Sequence, residues 1–443
     1  MRPIGIDLFA GAGGLSLGFE QAGFDVVAAV EIDPVHCAVH KFNFPRTAII
    51  PRSVTGLSAK EIRIAAGIGG KEVDCVFGGA PCQGFSLIGQ RVLDDPRNKL
   101  VLEFVRIVAE LRARTFVFEN VKGLTLGRHK SFLKELVEAF DDVGYDVRLP
   151  WQVLNAGNFG TPQFRERLIL FGCRKGETLP DYPTAQTNLS ARKNHIDGLE
   201  NGPTCEDALD DLPDADRFKS LLGSDTVKTS KFGRPSKYAA ELRGLSNDSW
   251  HFGYVRRWDA TVLTSSARTE HTDISRRRFA DTEPGNVEPI SRFYKLSPTG
   301  VSNTLRAGTD GARGAFTSPR PIHYRFDRCI TVREMARLHG FPDWFRFNIT
   351  KWHGARQIGN SVPPPMARAV AAEVMKALGA APSKPLESID LGDAKLLSMD
   401  LSNAARYFDV DTPPSRRDKK SGNKKRKQIE IEEERIAGQV AHG

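Results

Sequence analysis

The chain reads as an α/β protein, a doubly wound and mostly parallel sheet joined to a smaller, irregular, β-rich second domain. Three observations predict this. Short β-type runs alternate with helical stretches from residue 4 to residue 173, the alternation stops beyond about residue 185, and helical periodicity returns at 331–338 and 364–378. At 443 residues the chain also exceeds what one hydrophobic core usually serves.

The β-type runs are PIGIDLF, DVVAAV, DCVFGG, RTFVFEN and RLILFGC, separated by segments such as NKLVLEFVRIVAEL and SFLKELVEAFDDV. Such alternation gives a parallel sheet with helices on both faces, and ligands of such sheets bind at the carboxyl ends of the strands. Past residue 185 Gly, Pro, Ser, Thr and Arg dominate with only short β-like pieces. A structureless loop of that length is improbable in a compact protein, so a second domain is expected. The predicted division is a first domain over 1–185, a second over 186–327, a return to the first over 328–380, and a largely mobile tail over 381–443. That tail contains SRRDKKSGNKKRK followed by EIEEER.

Composition narrows the class of function. The first residues, MRPIGIDLFAGAGG, break into glycines at once and lack a signal peptide's apolar run. No stretch approaches the ~20 apolar residues needed to span a membrane, so no membrane partner is expected. Six scattered cysteines without a CxxC pair suggest neither zinc nor a redox couple, and a reducing cytoplasm is the default compartment. The formal charge of +9 favours a polyanionic partner. Residues 186–224 hold 4 basic against 8 acidic residues, whereas 225–325 hold 17 against 10, so the excess belongs to one segment.

Gly11, Gly13 and Gly14 follow the first strand directly and precede a helix, where glycines let backbone lie against a ligand and helix amides face it. Ser16 stands where a dinucleotide fingerprint would place its third glycine, which argues against a nicotinamide cofactor. Glu31 ends the next strand, 24 residues after Asp7, where a carboxylate can take the ribose hydroxyls of a nucleoside ligand. Phe9 at the strand tip is placed to meet an adenine ring. The competing reading is a tight structural turn followed by a surface glutamate.

Cys82 lies in Gly78-Gly79-Ala80-Pro81-Cys82-Gln83-Gly84-Phe85-Ser86, a loop after the strand DCVF. Pro81 stiffens that loop, the glycines admit a planar ligand, and a thiolate there is a strong nucleophile. Cys37, Cys75 and Cys173 instead fit buried packing cysteines. Glu119, in FVFENV, ends a buried strand on the same sheet edge. Gln163, Arg165 and Arg167 alternate before the strand 168–173, which points all three to one face.

These blocks together resemble the bacterial-type DNA cytosine carbon-5 methyltransferases. The resemblance covers 4 to about 175 and 328 to about 378, through DLFAGAGGLSLGFEQAGF, VEIDP, GGAPCQGFS, DDPRNKLVLEF, FVFENVKGL, QFRERLILFG, ITVREMARLHGFPDWF and RQIGNSVPPPMARAVA. It implies the fold of S-adenosylmethionine-dependent methyltransferases, with S-adenosyl-L-methionine as cofactor. Cys82 then looks like the nucleophile, Glu119 like the acid on the cytosine ring, and Arg165 like the base-binding arginine, with Gln163 and Arg167 in support. Phe9, Gly11, Gly13, Gly14 and Leu15 look like the cofactor loop and Glu31 like the ribose ligand. Pro81 and Leu100 fall on the cofactor side, and Asn360 with Ser361 at the methionine end. Ser53 stands where the family usually has an aspartate on the adenine amino group.

The chemistry explains the cysteine. Carbon 5 of cytosine is a poor nucleophile until a thiolate adds at carbon 6. Methylation of an exocyclic amino group needs no such adduct and resembles a Pro-Pro-aromatic loop without cysteine. The insert 186–327 is expected to read a short sequence of double-stranded DNA while the target base is flipped out. Arg256, Arg257, Arg268, Arg276, Arg277, Arg278, Arg292, Arg306 and Arg313 are its candidate contacts, most of them to phosphate. The acidic stretch 197–216 is expected to face away from DNA. The resemblance further implies a monomer on DNA, beside the bacterial nucleoid, and a restriction endonuclease acting on the same sequence without direct contact. Two other readings are a catalytically silent DNA-binding regulator and a tRNA cytosine-5 methyltransferase. The presence of Cys82, Glu119 and Arg165 opposes the first, and the long insert opposes the second.

Overall fold

A computed structural model describes residues 2–81, 98–126, 129–189, 196–309 and 319–412. The first half builds the sheet from β1 (Ile4–Leu8), β2 (Asp25–Val30), β3 (Ala48–Ile50), β4 (Cys75–Gly78), β5 (Thr115–Val121), β6 (Tyr145–Val147), β7 (Gln152–Asn155) and β8 (Glu166–Arg174). Its order is β3-β2-β1-β4-β5-β8-β6, with β7 also paired to β8. Strands β1 to β5 are mutually parallel and β8 runs against its neighbours. The long runs form because strands covered on both faces need continuous apolar side chains rather than alternation.

One face of the sheet packs on α3 (Ala59–Ala66), α4 (Lys99–Leu111) and α5 (His129–Asp142) through a core that includes Ile62, Phe104 and Phe140. The other packs on α1 (Gly14–Ala22) and, from far along the chain, α11 (Pro364–Ala377). The two helices touch at Gly18, where any Cβ would come within 2.3 Å of the Ala367 Cβ. The helix that the periodicity at 364–378 predicts thus packs beside the first helix of the chain. Between β2 and β3 runs α2 (Pro34–Asn43), capped by Asp33.

The second half departs from expectation. Among the described residues of 186–327 the elements are α6 (Cys205–Leu209), β9 (Val227–Lys228), α7 (Lys237–Leu242), β10 (Val255–Arg257), β11 (Val262–Leu263) and α8 (Asp273–Asp281). Strands of two or three residues do not make a β-rich domain. The expected border at 328 also moves. Residues from Cys205 to Leu305 share one core with Ile330 to Ile358, including α9 (Val332–His339) and α10 (Lys351–Asn360), so the chain rejoins the sheet only near Val362.

The mobile tail expected from 381 is corrected over 381–412. There β12 (Ser388–Asp390) pairs in parallel with β10, and Leu396 and Leu397 bury beside α2, where α12 (Leu401–Tyr407) also packs. Residues 413–443 lie outside the described residues.

Candidate active site

The sheet order reverses between β1 and β4, and a crevice at the carboxyl ends of strands opens at such a switch point. A cavity of about 780 Å³ lies there. Phe9, Gly11, Gly14 and Leu15 from the loop after β1, Glu31 after β2, Pro81 after β4, Leu100, Glu119, Arg167, Asn360 and Ser361 all line it. So do Ser53 and the exposed Ile32, which the sequence reading passed over although it directly follows Glu31.

Backbone amides build the glycine-loop wall. Gly11 N donates to Glu31 Oε2 and Asp33 N to Oε1, both at 2.8 Å. The carboxylate is thereby fixed while each oxygen keeps a lone pair for a further donor. Gly11 takes a φ of 54°, and no heavy atom lies within 4 Å of where its Cβ would stand. Gly13 departs from expectation, since it does not line the cavity. At φ 102° it lies against α2, where a Cβ would meet Phe44 at 2.5 Å and His40 at 3.2 Å. Its role is close packing behind the loop.

On the far wall Glu119 lies two residues before the end of β5, nearly buried, and Arg167 Nε pairs with its Oε1 at 2.8 Å. Burial raises the Glu119 pKa, against the lowering effect of Arg167 and then Arg165. Arg167 Nη1 donates to Glu166 O, and Nη2 has no partner among the described residues. Gly79 allows this approach, because a Cβ there would lie 2.4 Å from Glu119 Oε2. Asn120, which the sequence reading left without a role, donates from Nδ2 to Ala80 O at 2.9 Å and so anchors the loop that leads to Cys82. Cys82 itself, with Gln83, Gly84, Phe85 and Ser86, lies outside the described residues. The five described cysteines are all buried, as Cys37, Cys75 and Cys173 were expected to be.

Two further predicted site residues are elsewhere. Arg165, 1% exposed, donates to Leu305 O at 3.0 Å and to Gly359 O and Ser361 O at 2.8 Å each. Gln163 is fully buried, accepting from Leu305 N and donating to His339 Nδ1. Alternation in sequence does not reveal their partners: the segments 302–307 and 359–361 supply carbonyls that take Arg165, and Arg167 stands beside Glu119.

Several arginines expected at the nucleic-acid surface are also committed. Arg256 forms a buried bidentate pair with Glu20, Arg257 meets Asp390, and Arg268 and Arg276 share Asp216. Arg278 lies 3.5 Å from Glu288. Arg277, Arg292 and Arg306 are exposed and make no ion pair among the described residues, and Arg313 lies outside them. The acidic stretch 197–216 is the internal counterpart of this charge, since Asp210 pairs with Arg325, Asp211 with Arg337 and Arg243, and Asp214 with Arg328.

Known proteins resemble the chain over most of its length. The Type II methyltransferase M.XorII of Xanthomonas oryzae pv. oryzae is 58% identical over 411 residues, 92% of this chain and 93% of the relative. The Type II methyltransferase M1.HphI of Haemophilus parahaemolyticus is 32% identical, over 84% of this chain and 86% of the relative. The solved structure of a DNA modification methyltransferase encoded within an E. coli prophage aligns with a TM-score of 0.66 at 31% identity, covering 85% of this chain and 99% of that one. Family and fold imply a methyl donor of the S-adenosylmethionine type. Because the C-5 cytosine-specific DNA methylase profile matches residues 4–376, the chain belongs to that family and is a DNA (cytosine-5-)-methyltransferase.

Proposed function

We propose that this enzyme holds S-adenosylmethionine in the cavity at the β1/β4 switch point and methylates a cytosine flipped out of a specific short duplex sequence, with Cys82 as nucleophile. The observation that carries the reading is the shared cavity. A carboxylate anchored by two amides, Glu31, stands on one wall, the Glu119–Arg167 pair stands on the other, and Pro81, the residue before Cys82, lies at its rim.

The residues present fit a nucleoside sulfonium. Glu31 takes the ribose hydroxyls, Phe9, Ile32 and Leu100 offer apolar contact to adenine, and Asn360 and Ser361 face the amino-acid end. Ser53 supplies a hydroxyl where relatives of this type place a carboxylate. Its oxygen already accepts from Thr55 N at 3.1 Å, which leaves its own proton for an adenine nitrogen. When bound, the cofactor supplies a methyl group on a positively charged sulfur.

The protein's part is to make carbon 5 of cytosine nucleophilic. The Cys82 thiolate adds to carbon 6 and forms the S–C bond, while the ring's electron pair moves toward carbon 5. Glu119, its pKa raised by burial, donates a hydrogen bond in its protonated form to ring nitrogen 3 as charge develops there. Arg167 steadies Glu119 through Nε and offers Nη2 to the base carbonyl, the role that the sequence reading gave to Arg165. After methyl transfer, loss of the carbon-5 proton expels the thiolate. The recognition surface falls within 186–327, with Arg277, Arg292 and Arg306 free for the duplex. The enzyme works as a monomer on DNA in the bacterial cytoplasm, as the modification arm of a restriction–modification system whose endonuclease reads the same sequence.

The test is covalent trapping on duplex DNA carrying 5-fluorocytosine, whose fluorine blocks the final elimination. The wild type forms a complex that survives denaturing electrophoresis. Cys82→Ala forms none and transfers no methyl while keeping the wild-type melting temperature. Trapping by Cys82→Ala would move the nucleophile elsewhere.

A further inference from the structure

His339 ends α9, is fully buried and does not itself line the cavity, yet its ring joins two parts of the molecule that the reaction must coordinate. Its hydrogen-bond directions are fixed by its neighbours. Gln163 Oε1 accepts from Leu305 N, so Gln163 Nε2 is a donor and His339 Nδ1, 2.9 Å away, must accept. His339 Nε2 lies 3.0 Å from Ser361 O, a carbonyl, and must donate. One neutral tautomer satisfies both bonds, and burial holds the ring well below the ordinary histidine pKa.

The same two segments meet again through Arg165, which donates to Leu305 O on one side and to Gly359 O and Ser361 O on the other. At Gly359 the contact is backbone to backbone, since a Cβ would lie 2.3 Å from Ala307 N. Both polar groups of the Leu305 backbone are therefore clamped to groups that also hold the 359–361 turn. Arg306, the next residue, is exposed and unpaired among the described residues, whereas Asn360 and Ser361 line the cofactor cavity.

We propose that His339, with Gln163 and Arg165, is a positioning relay through which contact of the 305–307 segment with DNA sets the 359–361 wall of the cofactor cavity. The relay rests on the proposed placement of cofactor and duplex. A shift of Leu305 moves the Gln163 amide, which can follow only if the His339 ring and the Ser361 carbonyl move with it. Arg165 blocks the alternative of separating the segments, because its guanidinium would be left buried without acceptors. DNA bound at Arg306 and cofactor bound at Ser361 thus bias one rigid arrangement, and by linkage each tightens the other.

The experiment measures the affinity of full-length enzyme for S-adenosylhomocysteine, which cannot donate methyl, by calorimetry with and without saturating plasmid DNA that the enzyme methylates. Wild type is expected to gain about tenfold in affinity when DNA is bound. His339→Leu keeps the free-enzyme affinity within about threefold and loses most of the DNA-linked gain. His339→Gln restores the gain, because its carbonyl can accept from Gln163 and its amide can donate to Ser361 O.

No gain in the wild type, or an undiminished gain in His339→Leu, overturns the relay. So does a loss of free-enzyme affinity that glutamine fails to rescue, since that outcome marks a packing role. Glu31→Ala separates the two levels of the argument. Weak binding in that variant upholds the cavity assignment whatever His339 does, and unchanged binding overturns the assignment together with the relay.

Discussion

Asp7 lies in β1 beneath the glycine loop with none of its surface exposed. Ser16 Oγ donates to its Oδ2 at 2.6 Å, while Oδ1 has no partner. Burial raises its pKa from 3.8 to about 8; the Ser16 bond opposes that rise and the Glu31 charge adds to it. Between those two values the folded state binds a proton that the unfolded state has released. The contribution of Asp7 to stability is therefore full below about pH 4, declines as pH rises, and levels off above about pH 8. The slope is at most ~1.4 kcal/mol per pH unit, which would total ~6 kcal/mol across the interval, and relaxation around an ionised carboxylate reduces this to a few kcal/mol.

Asp7→Asn copies the neutral carboxyl, keeps an acceptor for Ser16 and cannot ionise. The difference in urea-unfolding free energy between variant and wild type isolates this one group, because all other titrations are common to both. That difference should grow in favour of Asp7→Asn from pH 5 to pH 8 and then become constant. A flat difference across the range would show that Asp7 titrates alike in both states, and that burial under the loop does not govern it.

Other outcomes follow from the same geometry. Glu31→Ala should weaken S-adenosylmethionine binding far more than DNA binding in separate calorimetric titrations, because its anchored carboxylate lies on the cofactor wall; equal losses would indicate misfolding. Arg165→Met takes a donor from three backbone carbonyls, of which Ser361 O keeps His339, and should cost about 3 kcal/mol or more of stability. Arg167→Met should instead keep its melting temperature and lose about 10²-fold or more in kcat, since Nη2 acts on developing charge. Arg306→Ala and Arg277→Ala should each reduce the slope of log affinity against log salt by about one, whereas Arg268→Ala, whose guanidinium is already paired with Asp216, should leave the slope unchanged.

The sheet was legible because β1, β2, β4, β5 and β8 are largely apolar runs, the signature of strands buried on both faces. Cofactor-loop residues were legible for the same reason, since a strand end fixes where the next few residues stand. What escaped depends on distant partners. The three residues of β12 are a strand only because β10 lies beside them, 133 residues earlier, with Arg257 in register with Asp390 and bound to it. Helix α10 contains Gly354 and Gly359 and holds through the Thr350 cap and the shared second core, neither of which shows as periodicity. The division of labour between Arg165 and Arg167 was invisible because it is decided by the carbonyls of Leu305, Gly359 and Ser361, about 140 and 196 residues away.

Charge shows the same limit in reverse. The basic excess of 225–325 suggests a broad cationic face, but Arg256, Arg257, Arg268 and Arg276 are each bonded to a carboxylate. All of those carboxylates lie outside the segment counted, at Glu20, Asp216 and Asp390. The acidic stretch 197–216 thus serves the fold, with Asp211 and Asp214 holding the buried Arg337 and Arg328 of the second core. Arg337 also binds Asp343 and Arg328 also binds Glu334, so removing either aspartate leaves a buried arginine with one carboxylate fewer, a larger loss than that of a surface pair. The arginines left for DNA are those that the fold does not use. Arg306 stands out among them because its neighbour Leu305 is clamped to the cofactor wall, so a phosphate contact there bears on a segment that cannot move independently of Ser361.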